Sequence, residues 1–210
     1  LSPFSAPWWN NNPLRLIIAS NNRHKRREIA TILAATGIDI VPASETYFVT
    51  VMEDGETFAA NAEKKAQAFA QANGCAALAD DSGLMVDALG GTPGVRSSRY
   101  AGESATDADN NAKLLKAMQG VRQRGARFVC AVHMAFPDGR VPLTAEGHVD
   151  GRILEAPDGD GGFGYDPLFY CPELGKSFAC ASPAEKMAVS HRSRALRTLM
   201  KIPGLTKISL

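Results

Sequence analysis

The 210-residue sequence has no marked excess of either charge: 23 Lys and Arg stand against 22 Asp and Glu, for a formal net charge of +1. A chain so balanced offers no broad cationic field to a polyanion, so any contact with phosphate must come from locally placed groups, and no stable nucleic-acid partner is expected. Cysteine is scarce and unpatterned. Cys75, Cys130, Cys171 and Cys180 show no Cys-x-x-Cys spacing and no interleaved His pair, which suggests neither a zinc knuckle nor a disulfide framework and fits a reducing, cytoplasmic setting. No apolar run approaches the ~20 residues that a bilayer span requires, so no membrane partner is expected. The opening residues lack the basic start and apolar stretch of a signal peptide. Residues 1–13 read as a loose extension, in which Trp8 and Trp9 pack on the body, on a second subunit or on nothing, ahead of a domain over 14–210. The Gly-x-x-x-x-Gly-Lys-Ser/Thr pattern is missing too, which removes the P-loop class.

What is present is the make-up of one compact domain, or of two lobes sharing a core: 45% hydrophobic and 21% charged residues. Leu14 to Ala19 is a short apolar run that predicts a buried strand, followed by a helix over 23–36 with Ile29, Ile32 and Leu33 at helical spacing and Gly37 as its stop. A strand over 38–43 and a long helix over 57–72 come next, with Phe58, Ala62, Ala66 and Phe69 on one face. Cys75 to Ala79 reads as a buried strand that ends in Asp80, Asp81, Ser82 and Gly83, and an extended pattern resumes at 84–89. The spacing predicts a helix over 106–118, two strands over 126–136 and 141–149 joined by a Pro137-Asp138-Gly139 turn, and a short strand over 168–171 after a segment rich in glycine and aspartate. One final helix is expected over 183–200, with Ala188, Leu196 and Leu199 in the core. The sum is an α/β chain with a mixed sheet.

Four segments can carry chemistry. Ser20, Asn21, Asn22, Arg23, His24 and Lys25 lie between a strand and a helix, where backbone amides and the helix dipole favour an anion and Lys25 adds a point charge. A side-chain cap followed by a solvated basic turn accounts for the same residues. Asp80 and Asp81, placed at the end of a strand, supply two carboxylates where ligands gather, and Glu53 is a further candidate; a hard dication such as magnesium needs few protein ligands. An Asx-turn is the competing reading of the Asp pair. Phe163, Gly164, Tyr165 and Asp166 combine close backbone approach with aromatic rings that stack on a base or belong to the core. Lys186, Ser190, His191 and Arg192 supply donors matching the O6 and N7 acceptors of a 6-keto purine, although a capped helix with solvated charges explains them as well.

Taken together, Ala79-Asp80-Asp81-Ser82-Gly83-Leu84, the run Gly161 to Pro167, and Glu185-Lys186 followed by Ser190-His191-Arg192 resemble the inosine triphosphate pyrophosphatase family. Asn61-Ala62, Lys65-Ala66 and Ser98-Arg99-Tyr100 add to the match, which spans nearly everything after Leu14. The resemblance implies an elongated mixed central sheet with flanking helices, two lobes around an active-site cleft, and a homodimer. It implies a purine nucleoside triphosphate substrate (ITP, dITP or XTP) hydrolysed to monophosphate and pyrophosphate, which cleanses the nucleotide pool. Mg2+ would be held by Asp81 and Glu53, with Asp81 the acidic catalytic residue and Ser82 on the nucleotide. The 20–25 loop would cradle the triphosphate; Phe163, Gly164, Tyr165, Asp166, Lys186, His191 and Arg192 would surround the rest. The roles of base and metal ligand are open to division between Asp80 and Asp81. Two departures stand out: Ser20-Asn21-Asn22 where members often carry Thr-Gly-Asn, and Ala179-Cys180-Ala181 where a Glu is usual.

Overall fold

In the computed structural model, which describes residues 14–203 and 205, seven strands form one mixed sheet flanked by helices. The expected extension at 1–13, Trp8 and Trp9 included, lies outside the described residues. In chain order the elements are β1 (Arg15–Ile18), α1 (Arg23–Leu33), β2 (Asp39–Ile40), α2 (Phe58–Asn73), β3 (Ala76–Val86), α3 (Asp107–Ala117), β4 (Gly125–Ala135), β5 (Leu143–Ile153), β6 (Phe169–Cys171), β7 (Lys176–Ser177), α4 (Pro183–Val189) and α5 (His191–Met200). The sheet order is β2-β1-β3-β4-β5-β6-β7. β1 pairs in parallel with β2 and β3, and every later pair is antiparallel. Among the described residues no helix is long and apolar enough to cross a membrane.

Local chemistry sets the helix ends. Thr57 caps α2 by accepting from the amide of Ala60 at 3.1 Å, and Gly74 closes the helix in the left-handed region at φ 59°, where a side chain is disfavoured. Thr106 and Asp109 form a reciprocal capping box on α3. The expected last helix is two helices. Ser190 leaves helical geometry at ψ 153° and caps α5 through Ser193, so Lys186 and His191 belong to separate elements. Ala188, expected in the core, is exposed, whereas Leu196 and Leu199 are fully buried. β5 starts at Leu143, leaving Val141 exposed in the turn.

The largest departure from expectation is β3. Asp80, Asp81, Ser82 and Gly83 do not end a strand; they sit in the middle of an 11-residue one whose register with β4 is unbroken from Ala77 to Val86. Side chains alternate across a strand, so the neighbouring carboxylates face opposite sides of the sheet. On one side Leu16, Ile18 and Leu78 pack with Leu33 of α1 and Leu196 and Leu199 of α5. On the other, Ile17, Ala77 and Ala79 pack with Ala66 and Phe69 of α2. A separate core gathers Leu84, Val86, Phe128, Val149 and Phe169 around Leu114 of α3. β3 contributes to all three cores, and its polar centre falls between the residues it gives to the first two and those it gives to the third.

Candidate active site

Asp80 faces α1 and α5 and is completely buried. Its Oδ2 accepts from Arg192 Nε at 3.1 Å and Nη2 at 3.0 Å, and Lys25 Nζ lies 3.3 Å away. Burial by itself would raise this carboxyl; the cations of Lys25, Arg192 and Lys65 override it and hold the group below its ordinary value. Asp80 is therefore an ionised counter-ion that holds the cations of α1 and α5 in place. Arg192, only 1% exposed, also bonds Glu28 and donates to Ser82 Oγ at 2.9 Å. Neither the Asx-turn nor the solvated-charge reading describes these groups.

Asp81 faces α2 and lines a cavity of about 300 Å³. Its Oδ2 accepts from Asn61 Nδ2 at 3.0 Å, and its Oδ1 accepts from the amide of Ser82 at 3.0 Å. Lys65 Nζ sits 3.7 Å from that Oδ1 and 2.8 Å from Glu53 Oε1. Burial pushes Asp81 up from its ordinary value, and Glu53 adds to this, against the pull of Lys65 and Lys25. Lys65 moves the same way for a different reason: burial opposes its charge, but Asp81, Asp80 and Glu53 together outweigh burial and keep it an ammonium. One cation thus sits between two carboxylates at the bottom of a cleft.

Across the cleft, the 161–166 loop is held from three directions. Asp166 Oδ2 accepts from the Phe163 amide at 2.9 Å and from Lys186 Nζ at 2.6 Å, and the Gly164 amide donates to Asp107 Oδ2 at 2.6 Å. Tyr165 is mostly core, with its hydroxyl donating to Ser97 O at 2.8 Å. Gly162 is required here: at φ 74° a Cβ would stand 2.1 Å from Asp166 Oδ2. Phe163 presents its ring with Lys186 Nζ 4.5 Å from its centroid and His24 stacked at 5.2 Å.

His191 is buried and stacked on Phe128 at 4.8 Å, with its Nδ1 unpartnered. Burial, then the nearby Arg192 and Lys186, drive its pKa well below the ordinary value. The consequence for stability has a definite sign. Above about pH 6.5 the imidazole is neutral folded and unfolded; as pH falls below that, the unfolded chain takes up a proton that the folded chain refuses. Stability then drops by up to about 1.4 kcal/mol per pH unit until the folded pKa is reached. His191→Phe keeps a ring against Phe128 and removes the proton, so urea unfolding followed over this window should give a flatter pH dependence in the variant. Parallel curves would contradict the assignment.

The cavity collects Ser20, Asn21, Asn22, Lys25, Glu53, Asp81, Ser82, Phe163, Gly164, Tyr165, Asp166, Lys186, His191 and Arg192. Arg23 and His24 are exposed and do not line it, although His24 reaches Phe163. The amides expected to be free at the start of α1 are partly engaged, since Asn22 Oδ1 accepts from His24 N at 2.9 Å and Lys25 N at 3.1 Å. Asn22 is thus the cap, and Lys25 is what the loop turns inward. Cys180 is exposed, beside Gly159, and lies off the cavity wall. Sequence reasoning gave no role to Lys65, Asn61 or Glu28. A signal existed for the first two: Asn61 and Lys65 are polar positions four apart inside the buried stripe of α2.

The model of the Ham1 family matches residues 16–202 of this chain. The chain belongs to the Ham1 family. Ham1 relatives named dITP/XTP pyrophosphatase include one from Desulforamulus reducens, 50% identical over 192 residues that cover 90% of this chain and 95% of that protein. Another, from Thermus thermophilus, is 47% identical over 190 residues, 90% of this chain and 91% of its own length. Among solved structures, a HAM1 protein from Coxiella burnetii superposes with a TM-score of 0.82 at 40% identity, covering 90% of this chain and 98% of its own. The Staphylococcus aureus Ham1 protein gives 0.79 at 40% identity over 89% and 96%. The family resemblance and the α/β fold expected from the motifs are both borne out.

Proposed function

We propose that this chain hydrolyses non-standard purine nucleoside triphosphates (ITP, dITP and XTP) to the monophosphate and pyrophosphate, with Asp81 as its acidic catalytic residue. The observation that carries the reading is the pairing of Asp81 with Glu53 around one cation, on the wall of a cleft whose opposite side presents Phe163 and the buried, unpartnered Nδ1 of His191. Relatives that match nine-tenths of the chain, such as one 50% identical over 192 residues, and bear the name dITP/XTP pyrophosphatase support it.

Magnesium fits the donor set. Glu53 and Asp81 converge on a position that an ammonium occupies, and among the described residues no third His, Cys, Asp or Glu joins a metal cage. A hard dication held by two carboxylates takes its remaining ligands from water and substrate phosphates. When bound it neutralises charge on the phosphates. The chain's own residues do the rest. Lys25 and Lys65 face the polyphosphate, Ser20, Asn21, Asn22 and Ser82 offer hydrogen bonds, and the Asp81 carboxylate orients and deprotonates the water that attacks the α-phosphorus.

Phe163 gives the base a stacking face, and His191 and Lys186 carry donors for the 6-keto purine edge. Adenine would set its amino group against those donors and leave a buried polar group unpaired. Arg192 has four of its five N–H groups on Asp80, Glu28 and Ser82, so its part is to fix the pocket with little left for the base. A homodimer working in the cytoplasm on free nucleotides completes the reading, and the near-zero net charge supports free nucleotide over polymer. Pyrophosphate release from ITP, dITP, XTP, ATP and GTP at equal concentration tests it. The first three should exceed ATP by about tenfold or more; equal rates on all five would sink the claim of base selection.

A further inference from the structure

Glu53 reaches the cavity on a segment, residues 46–56, that belongs to no helix or strand. Its backbone is pinned by side chains from other elements. Asn73 of α2 accepts from Tyr47 N at 2.8 Å and donates to Tyr47 O at 3.0 Å, and Arg99 Nη2 donates to Glu53 O at 2.6 Å. Asn61, also on α2, accepts from Gly55 N at 2.8 Å through its Oδ1. The same amide donates its Nδ2 to Asp81 Oδ2 at 3.0 Å. Of these pins it is the one that also touches Asp81, and it is wholly buried. The fit on the segment side is close: a Cβ at Gly55 would stand 2.6 Å from Asn61 Oδ1.

We propose that Asn61 is a positioning residue that couples the Glu53 segment to Asp81, so that the two carboxylates keep one mutual geometry. This rests on the reading of Asp81 and Glu53 as the catalytic pair. An amide is suited to the task because it presents a donor and an acceptor on one rigid plane; a carboxylate lacks the donor, and an aliphatic side chain lacks both. With Oδ2 committed to Asn61, the carboxylate turns Oδ1 toward Lys65 and Glu53. The link to Gly55, two residues beyond Glu53, holds the second carboxylate against the same helix. Loss of Asn61 leaves the Gly55 amide and Asp81 Oδ2 without these partners and lets the two carboxylates drift independently.

Asn61→Ala, Gly55→Ala and the double variant test the coupling in the full chain, by hydrogen–deuterium exchange of residues 46–56 without ligand and by kcat and KM on ITP with magnesium. Asn61→Ala should speed exchange across the segment and lower kcat on the order of 10–100-fold with KM moving much less, because misplacement by a fraction of an ångström acts on the chemical step. Gly55→Ala should displace the segment in the same way while leaving the Asn61–Asp81 bond chemically intact, which keeps the test open if Asn61→Ala fails to fold. The double variant should be no slower than Asn61→Ala, since one link is being broken twice. Unchanged exchange in either single variant, or losses in kcat that multiply in the double variant, overturn the proposal. A merely structural Asn61 would lower the melting midpoint and leave the kcat to KM split and the segment's exchange as in wild type. Failure of the underlying reading shows elsewhere, as full turnover in Asp81→Asn, and is distinguishable because exchange of the segment does not depend on Asp81 chemistry.

Discussion

Asp81→Asn is expected to lower kcat by about three orders of magnitude while leaving the urea midpoint within a small shift of wild type. The argument for the first half is positional. Asp81 lines the cavity where Asp80 does not, and with Glu53 it brackets the buried ammonium of Lys65 on that wall. An amide in its place neither accepts a proton nor holds a dication well. The argument for the second half is the cost the native carboxylate already bears. Burial raises Asp81 from its ordinary value, so a neutral isostere relieves desolvation as it gives up the contact with Lys65, and Lys65 keeps Glu53 at 2.8 Å. Steady-state kinetics beside a urea titration checks both halves. Turnover within tenfold of wild type would take Asp81 out of the mechanism.

Arg192→Ala is expected to destabilise the fold by about 3–5 kcal/mol, the largest stability effect the site should show. Removal of this guanidinium leaves Asp80, fully buried, with Lys25 as its remaining ion-pair partner at 3.3 Å, and leaves Glu28 with Lys186 at 3.2 Å. Breaking one partner out of a buried ionic network costs far more than the network contributes as a whole, because the charge left behind has no water. Arg192→Lys should recover part of the loss, since one ammonium cannot reproduce a fork that spans Asp80, Glu28 and Ser82. A urea denaturation series on the two variants checks this, and a loss under 1 kcal/mol in Arg192→Ala would contradict the buried-network account. Any change in base preference in that variant has to be read against this loss.

The helices at α1, α2 and α3 and the β4–β5 pair were legible because hydrophobic period, caps and a Pro-Asp-Gly turn agree there. β3 was not. Asp and Gly are poor strand formers in isolation, and Asp80 to Gly83 read as the end of a strand because what keeps them inside one is distant in sequence: ten paired positions on β4, with Lys25, Arg192, Lys65 and Asn61 arriving from three helices to meet the carboxylates. The break between α4 and α5 was less plain, since Ser190 is tolerated inside helices; the capped-helix reading of Ser190, His191 and Arg192 allowed for it, and in the structure Ser190 Oγ accepts from the Ser193 amide. In the site, motif residues came together because their spacing encodes loops around one cleft, whereas Glu28 looked like an ordinary helix position and Asn61 and Lys65 added to the family match without a role of their own. Their meaning depends on which face of the helix meets β3, and the polar pair in the α2 stripe was the one trace of that in the sequence.

The position of bond cleavage tests the central claim most directly. Hydrolysis of ITP in 18O-labelled water, with the products resolved by mass spectrometry, should place one 18O in the nucleoside monophosphate and none in the pyrophosphate, as attack of water on the α-phosphorus requires. Label in the pyrophosphate, or release of inorganic phosphate in its place, would contradict the account.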